Sequence, residues 1–292
     1  MEIEKVGVLG CGLMGHGIAQ VCAQAGWTVV VREVDQGKLD AGLAKIEKQL
    51  AKAVEKGKLE QADADAVRGR VEGTLDYSAL ADCDLVIEAI TEDLDAKLEM
   101  WREVDAIVKD DATFATNTSS LSVAEQAGAT SRPQRFLGLH FFNPAQVMPL
   151  LEVVRADGSG DDAVQLGFDL GEKLGKTTVA AGDNRGFIVN RLLVPYMLDA
   201  IRAYEDGVGS VADIDTGMRA GASHPMGPLA LADFVGLDTL ASIAGVMHAE
   251  YGEERFAAPA TLTKLVEAGD YGRKSGRGFY DYSGERPEPT DP

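Results

Sequence analysis

Six residues, Gly10-Cys11-Gly12-Leu13-Met14-Gly15, constrain this chain most, because they stand between a short apolar run at 6–9 and apolar residues Ile18, Val21, Cys22 and Ala25 at helical spacing. The pattern reads as strand, tight turn, helix. Gly26 stops the helix, and the β-branched run at 27–33 supplies a second strand, closing a βαβ unit. The glycines meet separate demands. Gly10 permits the turn, Gly12 lets the backbone approach a pyrophosphate, and Gly15 allows close packing of the helix. The N-terminal N–H groups of that helix, with Leu13 and Met14 in the turn, face the phosphates. Glu33 ends the second strand about 20 residues on, where a carboxylate accepts hydrogen bonds from the adenine ribose hydroxyls. This favours NAD over NADP. Arg32 bears on the same choice, since an arginine here can hold a 2′-phosphate, but strand alternation points it away from Glu33. A glycine turn without nucleotide is the alternative, and strand, helix and acid together weigh against it.

Downstream, Leu39, Leu43, Ile46, Leu50 and Val54 recur every three or four positions and predict a long amphipathic helix over 35–57, followed by a more polar helical stretch to about Arg70. A buried-type strand at 84–90, a helix at 93–108 and a strand at 112–117 continue the alternation of a parallel doubly wound sheet. Two further strands, 135–142 and 150–154, are joined by a connection that Pro144 and Pro149 keep irregular. A helix near 162–174 and a strand at 176–180 complete the first domain. Beyond residue 185 the pattern changes: Val189, Leu192, Leu193, Tyr196 and Met197 begin helical segments without convincing strands. The expected fold class is α/β. An N-terminal Rossmann-like doubly wound sheet over 1–185, the NAD-binding domain, precedes an all-helical C-terminal domain over 186–292, with a loose Pro- and acid-rich tail after Tyr282.

Composition narrows the function classes. Cys11, Cys22 and Cys83 show no Cys-x-x-Cys spacing, which argues against a disulfide framework and a zinc site and fits a reducing compartment. No metal is expected. The longest apolar stretch, 186–200, is broken by Asn190, Arg191, Pro195 and Asp199, so no membrane span is expected. The N-terminus lacks a signal-peptide pattern, and the reading is cytoplasmic. A net charge of −19 would repel nucleic acid and anionic membranes, so neither is an expected partner.

A second constellation is His140-Phe-Phe-Asn143-Pro144, with Glu152 on the run Leu150-Leu-Glu-Val-Val. His140 ends one expected strand and Glu152 lies on the next, so a carboxylate can meet the imidazole across the pair. Oxidising a secondary alcohol needs a base for the hydroxyl proton as hydride leaves, and imidazole ordinarily titrates near neutrality. A nearby carboxylate fixes its tautomer and stabilises the imidazolium. Taken alone, a histidine in an apolar strand is more often a satisfied structural residue.

His140-Phe-Phe-Asn-Pro, the upstream Asn117-Thr-Ser119-Ser120, Gly186-Phe-Ile-Val-Asn190-Arg-Leu-Leu-Val-Pro-Tyr, Ser223-His-Pro-Met-Gly-Pro228 and Gly276-Arg-Gly-Phe-Tyr280 occur in fixed order. Together they resemble the 3-hydroxyacyl-CoA dehydrogenase family, in particular its stand-alone 3-hydroxybutyryl-CoA type, from residue 5 to about 282. The resemblance implies His140 as catalytic base and Glu152 as its orienting partner. It implies Ser119 and Asn190 on the substrate oxygen, and Glu92, Lys97 and Asn143 beside the nicotinamide, with Asn117 and Ser119 among the cofactor contacts. It also implies an acyl-CoA substrate, (S)-stereochemistry and a homodimer joined through the C-terminal domain. Read from the residues alone, Asn190 is a helix asparagine bonded to backbone and Ser119 a turn or cap residue. The chain departs from the pattern at the CoA-contacting helix, where family members carry a serine one or two turns before a lysine and this chain has Gln49 before Lys56. Two other readings remain: a related NAD-dependent dehydrogenase of a free hydroxy or sugar acid, and a catalytically silent NAD-binding protein on the same scaffold. Phe141 and Phe142 favour the thioester by resemblance, and the complete set His140, Glu152 and Asn190 argues against decay.

The remaining histidines carry less. His16 follows the glycine loop and is expected to face solvent or the loop exterior, His224 sits in a Pro-flanked turn, and His248 lies on a helical segment. Cys11, inside the loop, raises redox sensing only as a remote alternative. The net charge poses a separate question, since a CoA ester is itself a polyanion. The 35–57 helix carries Lys45, Lys48, Lys52 and Lys56 at steps of three, four and four, which places four ammonium groups along one face. A solvated face with partners such as Glu47 and Glu55 is the ordinary reading of such a helix. The resemblance sets CoA against this helix near Lys56, which makes Lys52, Lys56 and Ser119 the expected CoA contacts.

Overall fold

A parallel sheet needs helices on both faces, and the computed structural model, which describes residues 3–292, has that arrangement. Strands β1 (Lys5–Leu9) and β2 (Thr28–Arg32) pair in parallel, Val6 opposite Val29 and Leu9 opposite Arg32, with helix α1 (Gly15–Gln24) connecting them. Val6, Val8, Val29 and Val31 enter one core, while Leu9 and Val30 enter the other. Helix α2 (Gln36–Glu55) starts at Asp35, whose carboxylate accepts from the Lys38 N–H at 2.8 Å, and buries Leu39, Gly42, Ile46 and Leu50. Helix α3 (Gln61–Gly69) then leads into β3 (Val71–Thr74), which pairs with β2. The sequence reading passes over β3. Its Val-Glu-Gly-Thr buries only Val71, and an edge strand of that composition carries no alternation.

Strands β4 (Leu85–Glu88), β5 (Thr113–Thr116), β6 (Phe136–Phe141), β7 (Leu150–Arg155) and β8 (Thr177–Gly182) extend the sheet to the order β3-β2-β1-β4-β5-β6-β7-β8. Helices α4 (Leu94–Asp105), α5 (Val123–Ala127) and α6 (Asp161–Lys173) fill the connections. The expected doubly wound α/β class holds. The order reverses between β1 and β4, the switch point at which open α/β sheets bind ligands beyond the carboxyl ends of their strands. The β6–β7 pair is antiparallel, and its register sets His140 directly opposite Glu152.

The chain divides into two compact units between Phe187 and Ile188. In the second, helices α7 (Val189–Glu205), α8 (Val211–Gly221), α9 (Pro228–Val235), α10 (Leu237–Tyr251) and α11 (Ala260–Ala268) surround a core that includes Leu198, Leu229, Leu240, Met247, Phe256 and Phe279. Buried Asp215 accepts from the N–H groups of Leu229 and Ala230 and so caps α9. Asp233 accepts from the N–H groups of Phe279 and Tyr280 and from the Tyr282 hydroxyl, and burial holds its carboxyl up at about 6 against those donors.

Two expectations for this unit are corrected. It contains a small antiparallel pair, β9 (Tyr280–Asp281) with β10 (Glu288–Pro289), and the segment after Tyr282 is docked. The Thr290 N–H donates to Phe279 O at 2.9 Å, and the Tyr204 hydroxyl donates to Asp291. Backbone and single-hydroxyl bonds anchor this tail, and composition does not register them. Among the described residues no single helix is long and apolar enough to cross a membrane.

Candidate active site

The glycine turn is held from two sides. Glu33 Oε1 accepts from the Cys11 N–H at 2.7 Å and Oε2 from the Val34 N–H at 3.0 Å, so the acid that follows β2 braces the loop it faces. Gly10, at φ +91, leaves no room for a side chain, since a Cβ would lie 2.7 Å from Ala89 O. At Gly15 a Cβ would lie 1.9 Å from Gly10 O. Gly12 differs: a Cβ there meets no protein atom within 4 Å. Packing within the chain therefore gives no reason for glycine at 12, whereas a pyrophosphate against the backbone does. Leu13 and Val34 are 67% and 59% exposed beside the loop, apolar surface suited to a nucleotide, and Met14 is half-buried. Arg32 lies over Tyr77, its guanidinium carbon 3.8 Å from the ring centroid, on the side of the sheet away from Glu33. These residues fit a dinucleotide with free ribose hydroxyls.

Across β6 and β7, His140 Nδ1 stands 2.6 Å from Glu152 Oε2, with Glu152 fully buried and His140 6% exposed. A carboxylate oxygen accepts, so Nδ1 carries the proton and Nε2 keeps its lone pair. The rings of Phe142 and Phe187 flank the imidazole at centroid distances of 4.5 and 5.4 Å. Phe187 holds φ +46, a left-handed backbone unusual for an aromatic residue, at the end of the first unit. Nothing in the sequence marks that conformation beyond the preceding Gly186.

A buried ion network supports the neighbouring turn. Lys97 Nζ, 1% exposed, lies 2.9 Å from Glu88 and 2.8 Å from Glu92. Glu92 Oε1 in turn accepts from the Ser119 and Ser120 N–H groups at 2.9 and 3.1 Å and from the Thr118 hydroxyl at 2.5 Å. Burial alone would raise the Glu92 carboxyl, but the Lys97 ammonium and these donors bring it down to about 2. Burial pushes the Glu88 carboxyl up. For Lys97, burial opposes the charge, but the two carboxylates hold the ammonium above its usual range. Lys97 therefore reaches the 117–120 turn through Glu92, and also through Glu88, which accepts from the Thr116 hydroxyl at 2.6 Å while that hydroxyl accepts from the Thr118 N–H at 3.2 Å. The parts of the network that sequence reasoning missed are Glu88, Thr116 and Thr118. The one available signal was an acid closing the apolar run of β4.

Asn117 Oδ1 accepts from the Phe141 N–H at 2.9 Å, tying the end of β5 to the end of β6 beside His140. Ser119 is half-buried and Asn143 exposed in the connection after β6. Asn190 stands in the first turn of α7, in the second unit.

The remaining expectations divide. Lys45, Lys48, Lys52 and Lys56 are all exposed on α2, and among the described residues no carboxylate pairs with them, Glu47 being taken by Arg68 at 2.8 Å. His16 is corrected: it is buried, not solvent-facing, because Gly12 O and Gln49 take its two ring nitrogens. His224 lies 2.9 Å from the Tyr196 hydroxyl. Cys11 is 1% exposed, and burial pushes its thiol up to about 12, which removes the thiolate that redox sensing requires. A cavity of about 1000 Å³, bordered by Trp27, Asp111, Arg135 and Lys173, opens at the amino ends of the strands, away from His140.

A family model described as 3-hydroxyacyl-CoA dehydrogenase, NAD binding domain, matches residues 5–184, and one described as 3-hydroxyacyl-CoA dehydrogenase, C-terminal domain, matches residues 186–282. A Mycobacterium tuberculosis protein named 3-hydroxybutyryl-CoA dehydrogenase is 48% identical over 282 residues, covering 96% of this chain and 99% of its own. A Bacillus subtilis protein named probable 3-hydroxybutyryl-CoA dehydrogenase is 44% identical, covering 97% and 98%. The crystal structure of (S)-3-hydroxybutyryl-CoA dehydrogenase from Ralstonia eutropha matches with a TM-score of 0.92 at 39% identity, over 97% of this chain and 100% of that one. Matched by both family models and by relatives along nearly its whole length, the chain belongs to the 3-hydroxyacyl-CoA dehydrogenase family of NAD-dependent oxidoreductases.

Proposed function

We propose that the protein interconverts (S)-3-hydroxybutyryl-CoA and acetoacetyl-CoA, with His140 as the acid/base and Glu152 as its orienting partner. The observation that carries this reading is the 2.6 Å contact between His140 Nδ1 and the fully buried Glu152, which leaves Nε2 as the proton acceptor. In the oxidative direction Nε2 takes the 3-hydroxyl proton, the C3–H bond pair leaves as hydride, and the C3–O bond becomes a carbonyl. Bound NAD supplies the hydride acceptor. Glu152 stabilises the imidazolium that results. Ser119 and Asn190 hydrogen-bond the substrate oxygen, Asn143 and Glu92 border the nicotinamide, and Lys97 holds Glu92 in place. The short acyl chain follows the names of the relatives.

The lysines of α2, Lys52 and Lys56 above all, paired with no carboxylate among the described residues, offer the CoA phosphates a basic face in a molecule of net charge −19. The helical unit joins two copies in this reading, supported by Leu192, Val208 and Phe234, which are 68%, 76% and 54% exposed. The test is a spectrophotometric assay of acetoacetyl-CoA, longer 3-ketoacyl-CoAs and free 3-keto acids with NADH and NADPH. Highest kcat/KM is expected for acetoacetyl-CoA with NADH. A free 3-keto acid reduced as efficiently would overturn the substrate class, and equal use of NADPH would show that Glu33 does not govern the ribose site.

A further inference from the structure

The buried His16 binds two elements at once. Its Nδ1 lies 2.6 Å from Gly12 O and its Nε2 2.9 Å from Gln49 Nε2. A carbonyl only accepts, so Nδ1 carries the proton, and in the neutral ring Nε2 accepts from the Gln49 amide. One imidazole thus bonds the glycine loop at one end and α2 at the other. The Gly12 carbonyl and the Leu13 N–H share a trans peptide plane and point in opposite directions. Holding that carbonyl on His16 therefore aims the Leu13 N–H away from the ring, fixing the direction of a donor at the turn where phosphates bind.

Helix α2 meets the loop a second time at Gly42, where a Cβ would lie 2.3 Å from Cys11 Sγ and 2.4 Å from Cys11 O. Gly42 and Gln49 are about two turns apart on one face, so the helix is pinned to the loop at two points and cannot pivot on one. Its outward face carries the lysines that no carboxylate engages among the described residues. Force applied to that face reaches the Gly12 peptide through a backbone contact and a short hydrogen-bond chain, both physically continuous.

We propose that His16 and Gln49 are positioning residues that join the dinucleotide loop to the lysine-bearing helix, so that binding of the CoA phosphates and binding of the dinucleotide favour each other. The inference rests on reading α2 as the CoA face. Linkage requires the effect to be reciprocal: whatever factor CoA exerts on dinucleotide affinity, the dinucleotide exerts on CoA affinity.

The experiment titrates NADH by fluorescence with and without saturating free coenzyme A, and coenzyme A by calorimetry with and without NADH, in the native protein and in His16→Asn and Gln49→Leu. An asparagine amide at 16 can still donate to Gly12 O but is too short to reach Gln49, and leucine at 49 leaves the His16–Gly12 bond intact. Each ligand is expected to tighten the other by about fivefold or more in the native protein. In both variants that factor falls to about half its native value or less, the remainder being carried by the Gly42–Cys11 contact, while each ligand alone binds within about twofold of native, a split that general loosening of the loop would not produce. Coupling undiminished in both variants, or absent from a native protein that binds both ligands, overturns the link. Lys52→Ala combined with Lys56→Ala separates the two ideas: unchanged coenzyme A affinity at low salt overturns the CoA face itself, and the link with it.

Discussion

Which nitrogen of His140 is free to act is decided by a residue that never meets the substrate in this account. Glu152 takes Nδ1, and a glutamine in its place can still present an oxygen to that N–H but carries no charge. Glu152→Gln is therefore expected to keep NADH affinity and lower kcat, and to move the acidic limb of the oxidation pH profile toward lower pH, because the charge favouring the protonated ring is gone. An unmoved profile would leave Glu152 a purely structural role. Glu92 gives a second pH test. Its carboxyl is held at about 2, below the ordinary 4.5, so its contribution to stability is complete above 4.5 and is lost as pH falls toward 2. Glu92→Gln should be the less stable protein at neutral pH, and denaturant unfolding should show the difference narrowing below pH 4.5 and closing only as pH falls through about 2. A constant difference across that range would contradict the assignment. The His140–Glu152 adjacency was legible in the sequence because antiparallel register turns a spacing of residues into a contact. The burial of Lys97 between two carboxylates was not, since a lysine on a helix ordinarily reads as solvated.

Helix α2 shows how an element can be legible in outline and opaque in function. Its period, its Asp35 cap and its apolar face follow from residue spacing, yet it packs on the glycine loop at Gly42, which sequence alone presents as a weak helix former. Gly42→Ala drives a methyl into Cys11 and should cost roughly 1–3 kcal/mol of stability while weakening NADH binding, readable by thermal unfolding and fluorescence titration. Gly217, inside α8 with nothing within 4 Å of a Cβ, should respond oppositely, Gly217→Ala stabilising by about 0.5–1 kcal/mol. If the two alanines behave alike, close packing of α2 on the loop is not what fixes Gly42. The same limit hid β3 and the docked tail. A four-residue edge strand and a segment anchored through its backbone leave no periodicity to read.

Across the whole molecule, an acidic protein of net charge −19 must gather a polyanionic thioester against its own field, and in the proposed reading the exposed lysines of α2 supply the attraction. Lys52→Ala with Lys56→Ala should raise KM for acetoacetyl-CoA several-fold, leave kcat and NADH affinity largely intact, and reduce the salt sensitivity of KM. Unchanged KM at low salt would place the phosphates elsewhere. The α/β class and the family were legible because the glycine fingerprint, the strand and helix alternation and several ordered motifs agree with one another. The chemistry rests on a narrower point, that one imidazole serves as the proton acceptor for hydride transfer. The most direct measurement of it pairs kcat for NADH-dependent reduction of acetoacetyl-CoA with the NADH dissociation constant in His140→Ala. A fall in kcat of about two to four powers of ten with the dissociation constant nearly unchanged is the predicted result, and kcat retained at the native level would contradict the account.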